Sequence, residues 1–563
     1  MATDNFASLP ADVRQILEQS ADVPFRARTS HTHRTWAGTY SSLPELFIQP
    51  QSLAEVERAV NLARRCRRRI STVGCGHSPS DLTCTSSWLV NLDHFNDVVA
   101  IDKNTNIVVV EAGIRLFQLC KKLDEFGLAM PSLGSINEQS IAGAISTGTH
   151  GSSLQHGLVS ETVLALKITL ADGHTHSCSP DENPDLFRAA MLSLGALGII
   201  TEVTLKVVPA FSLAWDQTID TDARLFEQWE KNLWTQAEFV RVWWFPYMRR
   251  AVVWKADVVD RAALESGEVK HCEPPTSYYD NWLGYVVYHN LLALSRWVPR
   301  ILPWVEWLVF GMQYGFRNGE RTRISGVQPS QKAFLLNCLY SQFVDEWAIP
   351  LHAGPEALQR LASWLHNLKP GDPGYVEHRI PYSSEGLWVH SPVEVRVSDT
   401  TSTSAEQKNR PFLDVTLDNS PTLYLNAIMY RPYHRDPPDE ATERYFQGFE
   451  WLMRDLGGRP HWAKSFTASQ TEVASWYGNN FVQWRKVRDS VDPEGMFIGP
   501  WHRRYLLGGS KTGAAGAGAD GRPREYGDGV MSPLELEEIG FVSEPTKGGG
   551  LRVHGRQNPV VPN

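Results

Sequence analysis

The sequence predicts an α+β fold with more than one domain, and three observations support this prediction. The chain has 563 residues, which is more than a single hydrophobic core usually serves. Short β-type runs mix with amphipathic helical segments as far as about residue 210. From about residue 211, Trp and Tyr become dense and alternating strand patterns appear, which favours an antiparallel sheet accompanied by helices.

Periodicity predicts the individual elements. Apolar residues at helical spacing predict helices over 53–68, 114–126, 184–194 and 441–456. Short β-type runs predict strands over 70–73, 88–92, 107–110, 163–170, 199–208, 239–244, 251–254, 393–397 and 422–430. These elements divide the chain into a polar lead-in (1–40), a first domain (41–210), a second domain (211–470), a C-terminal return segment (471–507) and a low-complexity tail (508–563). The tail is rich in Gly and Ala, and we expect it to be disordered.

Composition narrows the classes of function. The net charge of -9 gives no reason to expect a nucleic-acid partner. Seven scattered Cys without a CxxC pair argue against a disulfide framework or a zinc site, and they favour a reducing compartment such as the cytoplasm. The His pairs at 31/33 and 174/176 lack supporting ligands, so no metal is predicted. The N-terminal residues resemble neither a signal peptide nor a transit peptide.

A hydrophobic stretch at 281–316 interrupts the second domain. Charged residues and prolines divide it, so it is too broken to span a membrane. Its four Trp, with Arg nearby, suit a membrane interface. A buried or oligomer-forming helical hairpin explains the same pattern equally well, and both interpretations stay open.

Two Gly-rich segments are candidates for cofactor binding. The first follows the predicted strand 70–73 and contains Gly74, Cys75, Gly76, His77, Ser78, Pro79 and Ser80. Glycines after a strand let backbone N–H groups face a diphosphate, although a plain tight turn has the same appearance. The second contains Ser140, Gly143, Ser146, Thr147, Gly148, His150 and Gly151. Its small polar residues favour close approach to a large flat ligand over a helix packed through small side chains.

The two segments, GCGHSPSDLTCT and SIAGAISTGTHGSS, resemble the FAD-binding domain of the vanillyl-alcohol-oxidase type. Within that type, the sequence is most similar to the aldonolactone oxidases. The resemblance covers about 36–505 and implies a PCMH-type FAD-binding domain followed by an antiparallel-sheet substrate domain. It also implies that FAD is attached covalently to His77, which favours an oxidase, and that the residues of both segments contact FAD.

The predicted strand 393–397 is the third candidate for a functional segment. Glu394 and Arg396 alternate on one predicted strand and therefore share a face, where a carboxylate and a guanidinium suit a polyol or lactone. A surface salt bridge has the same pattern, and Glu377 and Arg379 repeat the spacing. The family resemblance favours 394 and 396, because its E-x-R lies in a P-[VI]-E-[VI]-R strand. It also implies that His461 and Lys464, in an H-W-x-K signature, lie beside the flavin.

The implied reaction is oxidation of an aldono-1,4-lactone, coupled to reduction of O2 to H2O2. D-arabinono-1,4-lactone is the preferred candidate for the substrate, and its product would be the dehydro-lactone. Glu394, Arg396 and Lys464 are the expected catalytic residues. L-gulono- or L-galactonolactone, or an open polyol, are alternative substrates of the same fold. A non-catalytic flavoprotein at a membrane interface is the alternative from another class. The resemblance also leads us to expect association with a mitochondrial membrane.

Overall fold

The computed structural model describes residues 6, 8–18, 23–277, 279, 281–316, 323–336, 340–401, 410–436 and 439–507. The predicted low-complexity tail, 508–563, lies outside the described residues. The described chain forms two sheet-based units, and the change from one to the other falls between Lys206 and Ser212.

The first unit combines small sheets with short helices. Its strands are β1 (Ala27–Arg28), β2 (His33–Arg34), β3 (Ser41–Ser42), β4 (Leu46–Ile48), β5 (Ile70–Val73), β6 (Trp88–Asn91), β7 (Val98–Asp102), β8 (Ile107–Glu111), β9 (Leu128–Ala129), β10 (Val163–Thr169), β11 (Thr175–Cys178), β12 (Ile199–Lys206) and β13 (Val208–Pro209). Its helices are α1 (Ala11–Glu18), α2 (Leu53–Cys66), α3 (Leu116–Glu125), α4 (Ile141–Ser146) and α5 (Pro184–Ala190).

Two larger sheets form the frame of this unit. One has the order β1-β4-β6-β5, in which β4 and β5 run parallel to β6. The other is antiparallel, in the order β11-β10-β12-β8-β7. The lead-in contributes more than a polar segment, because Val13 and Leu17 of α1 are buried in the same core as α2. An eight-residue helix is short enough for its apolar pattern to be overlooked in a polar segment.

The second unit is built on one large sheet. Its strands are β14 (Ser212–Thr221), β15 (Phe239–Phe245), β16 (Arg250–Val258), β17 (Arg323–Pro329), β18 (Gln342–Pro350), β19 (Val393–Ser398), β20 (Thr422–Tyr430) and β21 (Arg459–Pro460). Its helices are α6 (Asp222–Trp229), α7 (Arg261–Glu265), α8 (Trp282–Ser295), α9 (Leu302–Tyr314), α10 (Ser330–Ala333), α11 (Gly354–Leu365) and α12 (Asp439–Asp455). The chain continues through α13 (Gln470–Val491) and α14 (Pro500–His502).

The eight strands pair antiparallel in the order β17-β14-β16-β15-β19-β20-β18-β21. Alternation along β19 separates its two faces, since successive side chains of a strand point to opposite sides. Val393, Val395 and Val397 join the buried core that the sheet forms with α6, α11 and α12. Glu394 and Arg396 therefore lie on the opposite face, towards the first unit.

Helices α8 and α9 form a hairpin on that same face. Tyr288 and Leu292 of α8 and Val305 and Val309 of α9 pack with side chains of β18 and β20, including Val344. The hairpin occupies most of the predicted hydrophobic stretch. Among the described residues, no helix is both long and apolar enough to cross a membrane.

The C-terminal segment returns to the first unit. The N–H of Ile70 donates to the carbonyl of Met496 at 2.9 Å, and the Arg69 guanidinium donates to the carbonyl of Ile498 at 3.2 Å. Trp484 and Trp501 are buried in the core of the first unit. Residues after 470 thus complete the unit that the chain began.

Candidate active site

A narrow channel of about 120 Å³ begins where β5 ends at Val73. It passes between the loop that follows β5 and a second stretch of small residues. The predicted cofactor contacts that line it are Gly74, Cys75, Gly76, His77, Ser78, Ser140, Gly143, Ser146 and Thr147. Small side chains leave room for a long, thin, polar ligand, which is the shape of a dinucleotide.

Backbone geometry explains the glycines of the first loop. A Cβ atom on Gly74 would lie 2.5 Å from the Ser140 hydroxyl oxygen, so a larger residue would not fit. Gly76 has φ +66, a conformation that favours glycine, and its carbonyl accepts a hydrogen bond from the N–H of Trp36 at 2.7 Å. The Ser140 hydroxyl accepts from the N–H of Gly143 at 3.3 Å and caps α4. The second segment is therefore both a short helix and a wall of the channel.

A wider cavity of about 390 Å³ adjoins the channel and shares His77, Ser78 and Gln139 with it. The His77 ring lies at this junction, with its centroid 4.6 Å from that of the Trp36 ring. Burial, together with the positive charge of Lys464, lowers the pKa of His77 to about 4. The imidazole is therefore neutral near pH 7 and keeps a nitrogen lone pair.

The large sheet supplies a carboxylate and a guanidinium to the wide cavity. Glu394 and Arg396 both line it, and Arg396 Nε lies 3.6 Å from Glu394 Oε2. Within the described part of the chain, the buried Oε1 of Glu394 has no hydrogen-bond partner. Asn426 of β20 also lines the cavity, and its Oδ1 accepts from the backbone N–H of Glu394 at 2.8 Å. A free carboxylate oxygen beside a cation is suited to bind a hydroxyl-bearing ligand.

Glu346 of β18 occupies the centre of the polar cluster and is buried. Its carboxylate accepts from Arg396 Nη2 at 3.1 and 3.2 Å and from His150 Nε2 at 2.9 Å. The Lys464 Nζ lies 3.5 Å from its Oε2. Burial by itself would raise the pKa of Glu346, but the charges of Arg396 and Lys464 hold it well below its usual range. Glu346 is therefore ionised near pH 7.

The predicted H-W-x-K segment runs beside β18. The N–H of His461 donates to the Glu346 carbonyl at 2.8 Å, which brings Lys464 over the Glu346 side chain. Burial lowers the pKa of His461 to about 3, so its ring is neutral. Its Nε2 donates to the carbonyl of Gly148 at 3.0 Å and thereby joins the large sheet to the first unit.

The structure brings most of the predicted site residues together. Pro79, His150, His461 and Lys464 line the wide cavity with Glu394 and Arg396. Three predicted cofactor contacts line neither cavity: Ser80, Gly148 and Gly151. They lie behind the walls, where the Gly148 carbonyl accepts from His461 and the Gly151 carbonyl lies 2.9 Å from His150 Nδ1.

The rival pair, Glu377 and Arg379, lies apart from both cavities. Their side chains are 70% and 65% exposed, and Arg379 Nε is 3.7 Å from Glu377 Oε2. Such a surface pair contributes little to stability and contacts neither cavity.

Sequence reasoning missed Glu346. The available signal was an adjacent acidic pair, Asp345-Glu346, inside the apolar run of β18. A buried carboxylate needs partners, so such a pair in a strand indicates a polar site on at least one face.

A cluster of potential metal ligands overlaps the same centre. One ligand atom each of His150, Glu346 and His461 lies within 4.8 Å of the others. The Glu346 carboxylate already pairs with Arg396 and Lys464, which would repel a further cation. The described residues at this position therefore favour an ion-pair cluster over a metal centre.

Comparison with protein families identifies the chain. A family model described as D-arabinono-1,4-lactone oxidase matches residues 203–505. The chain belongs to the D-arabinono-1,4-lactone oxidase family. A model for an FAD-binding domain matches residues 44–179, so the enzyme is an FAD-dependent oxidoreductase. The predicted membership of the aldonolactone oxidases is thus confirmed.

Relatives cover the enzyme at full length or nearly so. It is 67% identical to a Neurospora crassa protein provisionally named as a D-arabinono-1,4-lactone oxidase, over 100% of both chains. It is 39% identical to the D-arabinono-1,4-lactone oxidase of Yarrowia lipolytica, over 84% of this chain and 96% of the relative.

Solved structures share the fold. A cholesterol oxidase from B. sterolicum matches with a TM-score of 0.70 at 16% identity, over 86% of this chain and 98% of its own. A chitooligosaccharide oxidase matches with a TM-score of 0.61 at 15% identity, over 88% and 99%. With the FAD-binding model, these similarities confirm the predicted α+β fold of a PCMH-type FAD-binding domain and an antiparallel-sheet domain.

The residues present fit FAD. The channel is lined by glycines and serines, and a Cβ at Gly74 would lie 2.5 Å from the hydroxyl oxygen of Ser140, which also lines it. The adjoining cavity of about 390 Å³ has the larger volume and has Lys464 in its wall. A positive charge at that place stabilises the negative charge that a flavin gains on reduction.

Replacing Glu346 by Gln should destabilise the enzyme, because Arg396 and Lys464 would lose their shared counter-charge in a largely buried cluster. We expect the free energy of unfolding to fall by about 3 kcal/mol, as for other broken buried ion pairs. Denaturant unfolding of the FAD-loaded protein measures this. The exposed Glu377→Gln is the control and should stay within about 0.5 kcal/mol of wild type. Equal stability of the two variants would contradict the central role of Glu346.

Proposed function

We propose that the enzyme oxidises D-arabinono-1,4-lactone and passes the electrons to O2, which is reduced to H2O2. The observation that carries this proposal is the pair Glu394 and Arg396, which face a cavity joined to the FAD channel. Membership of the lactone oxidase family and the names of the relatives support the choice of a sugar lactone.

The side chains of this pair have separate tasks in the proposal. The free Oε1 of Glu394 accepts a hydrogen bond from a substrate hydroxyl and orients the carbon that is oxidised. The Arg396 guanidinium donates to the lactone carbonyl. FAD, when bound, supplies the acceptor for the two electrons. Glu346 holds Arg396 and Lys464 in place through the contacts described above.

His77 is proposed as the covalent attachment point of FAD. Its position where the channel meets the wide cavity supports this, since a ligand that fills both must pass it. Its neutral imidazole also supports the proposal, because the unprotonated nitrogen is the nucleophilic form. The tether would keep the cofactor in place through repeated reduction and oxidation.

The α8–α9 hairpin is proposed to bind a membrane at the lipid–water interface, and the enzyme is proposed to reside at a mitochondrial membrane. Exposed aromatic side chains support interfacial binding. Trp282 and Trp297 are 77% and 79% exposed, and Trp304 and Trp307 are 52% and 40% exposed. Tryptophan is favoured at the headgroup level of a bilayer, and such a concentration of exposed rings is unusual on a surface that contacts only water.

Substitutions on β19 test the proposed reaction. Glu394→Gln removes the acceptor charge and should slow flavin reduction by the lactone by about 30- to 1000-fold, equivalent to 2–4 kcal/mol. Arg396→Lys should also slow flavin reduction, although it keeps the charge, because an ammonium lacks the planar fork of the guanidinium. Glu377→Gln and Arg379→Lys are the matched controls and should reduce at the wild-type rate. Rapid-reaction measurement of flavin bleaching gives these rates. A wild-type rate in both β19 variants would refute the roles assigned to Glu394 and Arg396.

Replacing His77 by Ala tests the tether. The wild-type protein, precipitated in acid, should retain its yellow colour and flavin fluorescence on the denatured chain. The His77→Ala variant should release all of its flavin into the supernatant. Ser78→Ala, at the next position of the same loop, is the control and should keep the flavin attached. Flavin that stays on the His77→Ala chain would place the bond elsewhere.

Sedimentation with phospholipid vesicles tests the membrane proposal. The variant Trp304→Asn/Trp307→Asn should bind phosphatidylcholine vesicles containing an anionic lipid at least about tenfold more weakly than wild type, since each lost ring removes apolar contact. Val482→Asn changes an exposed apolar residue of α13 outside the hairpin and should bind as wild type does. Wild-type protein that stays in the supernatant at every lipid concentration would show that the hairpin is not a membrane surface.

A further inference from the structure

A buried carboxyl group stands out on α9, where Glu306 is the one charged side chain of the helix. Glu306 is 6% exposed and lines the wide cavity, while Trp304 and Trp307 on the same helix face outward. Burial raises the pKa of Glu306 to about 7, even though hydrogen bonds from Ser391 and from the backbone of Met248 and Tyr247 oppose the shift. A carboxyl group in such a place destabilises the fold unless its contacts compensate. Its partners therefore indicate why it is there.

The two oxygens of Glu306 connect three segments of the chain. Oε1 accepts from the backbone N–H of Met248, in the turn between β15 and β16, at 2.8 Å. Oε2 accepts a short hydrogen bond from the Ser391 hydroxyl. The helix of the surface hairpin is thereby joined to residues 389–392, the segment that leads directly into β19.

Other hydrogen bonds hold the same segment. The N–H of Val389 donates to the Tyr247 hydroxyl at 2.7 Å, and the N–H of Tyr430 donates to His390 Nδ1 at 2.7 Å. The Tyr288 hydroxyl of α8 reaches the Ser391 carbonyl at 3.5 Å. Both helices of the hairpin thus contact the residue that lies three positions before Glu394.

We infer that Glu306 is a positioning residue for the oxidation. By fixing Ser391 it sets where β19 begins, and so where Glu394 and Arg396 stand in the cavity. The inference rests on the proposed roles of Glu394 and Arg396, but it is independent of membrane binding. Positioning of this kind has a large effect on rate, because a displacement of about 1 Å in a reacting group can cost about 100-fold.

Three variants separate positioning from folding. Glu306→Leu fills the space but loses both hydrogen bonds, and Ser391→Ala loses one of them. Each should lower the limiting rate of flavin reduction by the lactone by about 10- to 100-fold. Glu306→Gln keeps an oxygen for the Met248 N–H and can donate to the Ser391 hydroxyl. It should therefore retain the wild-type rate within about threefold.

The melting temperature distinguishes positioning from a structural role, because loss of structure would lower it together with the rate. Glu306→Leu relieves the cost of burying a carboxyl group but leaves the Met248 N–H and the Ser391 hydroxyl without this acceptor. The two effects oppose each other, so the melting temperature should change little while the rate falls. Reduction of its flavin by dithionite, which does not use β19, should proceed as in wild type. Tyr340→Phe is the matched control, because it removes a 2.7 Å hydrogen bond from the same hairpin, to the carbonyl of Tyr285, without touching residues 389–392. Its rate should be that of wild type.

Several outcomes would overturn the inference. A wild-type rate in Glu306→Leu excludes positioning by this residue. A slow but stable Glu306→Gln shows that the charge itself matters, and a slow Tyr340→Phe shows a general loss of hairpin structure. If Glu394→Gln is slow while Glu306→Leu is not, only this inference fails. If Glu394→Gln also reduces at the wild-type rate, the proposed function fails with it.

Discussion

The ion-pair cluster around Glu346 is the interaction on which the site depends. It joins His150 of the first unit, Arg396 of β19 and Lys464 of the segment that follows β21. In a largely buried environment, one carboxylate that neutralises two cations keeps both in fixed positions without a mobile counter-ion. These three parts of the chain belong to both units, so docking of the two units and assembly of this cluster are one event.

Local patterns in the sequence were sufficient for much of the fold. The alternation of Val with Glu394 and Arg396 predicted a strand with one apolar and one polar face, and β19 has that arrangement. The acidic pair Asp345-Glu346 was a local signal of a polar site in β18, but the partners of Glu346 could not be found in this way, because they depend on strand order. That order places β20 between β18 and β19, a long-range pairing that no local pattern contains. The roles assigned to the individual site residues stay predictions.

For two segments, the sequence analysis gave two interpretations as alternatives, and the structure shows features of both. The stretch of small residues from Ser140 is a capped helix and also a channel wall, because small side chains let a helix come close to a narrow space. The hydrophobic stretch has one face in the cavity wall and one face exposed. Glu306, which looked like an interruption of that stretch, instead connects the hairpin to residues near the catalytic strand.

The return of the C-terminal segment to the first unit has a consequence for how the protein is made. Residues 496–506 fill the core beside Arg69 and Leu194, which leave the ribosome more than 300 residues earlier in the chain. The nascent first unit therefore waits, with apolar surface uncovered, until residues 496–506 have been synthesised. A chain in this state needs protection from aggregation. The cofactor channel is completed at the same late stage, because Phe497 and His502 of this segment line it.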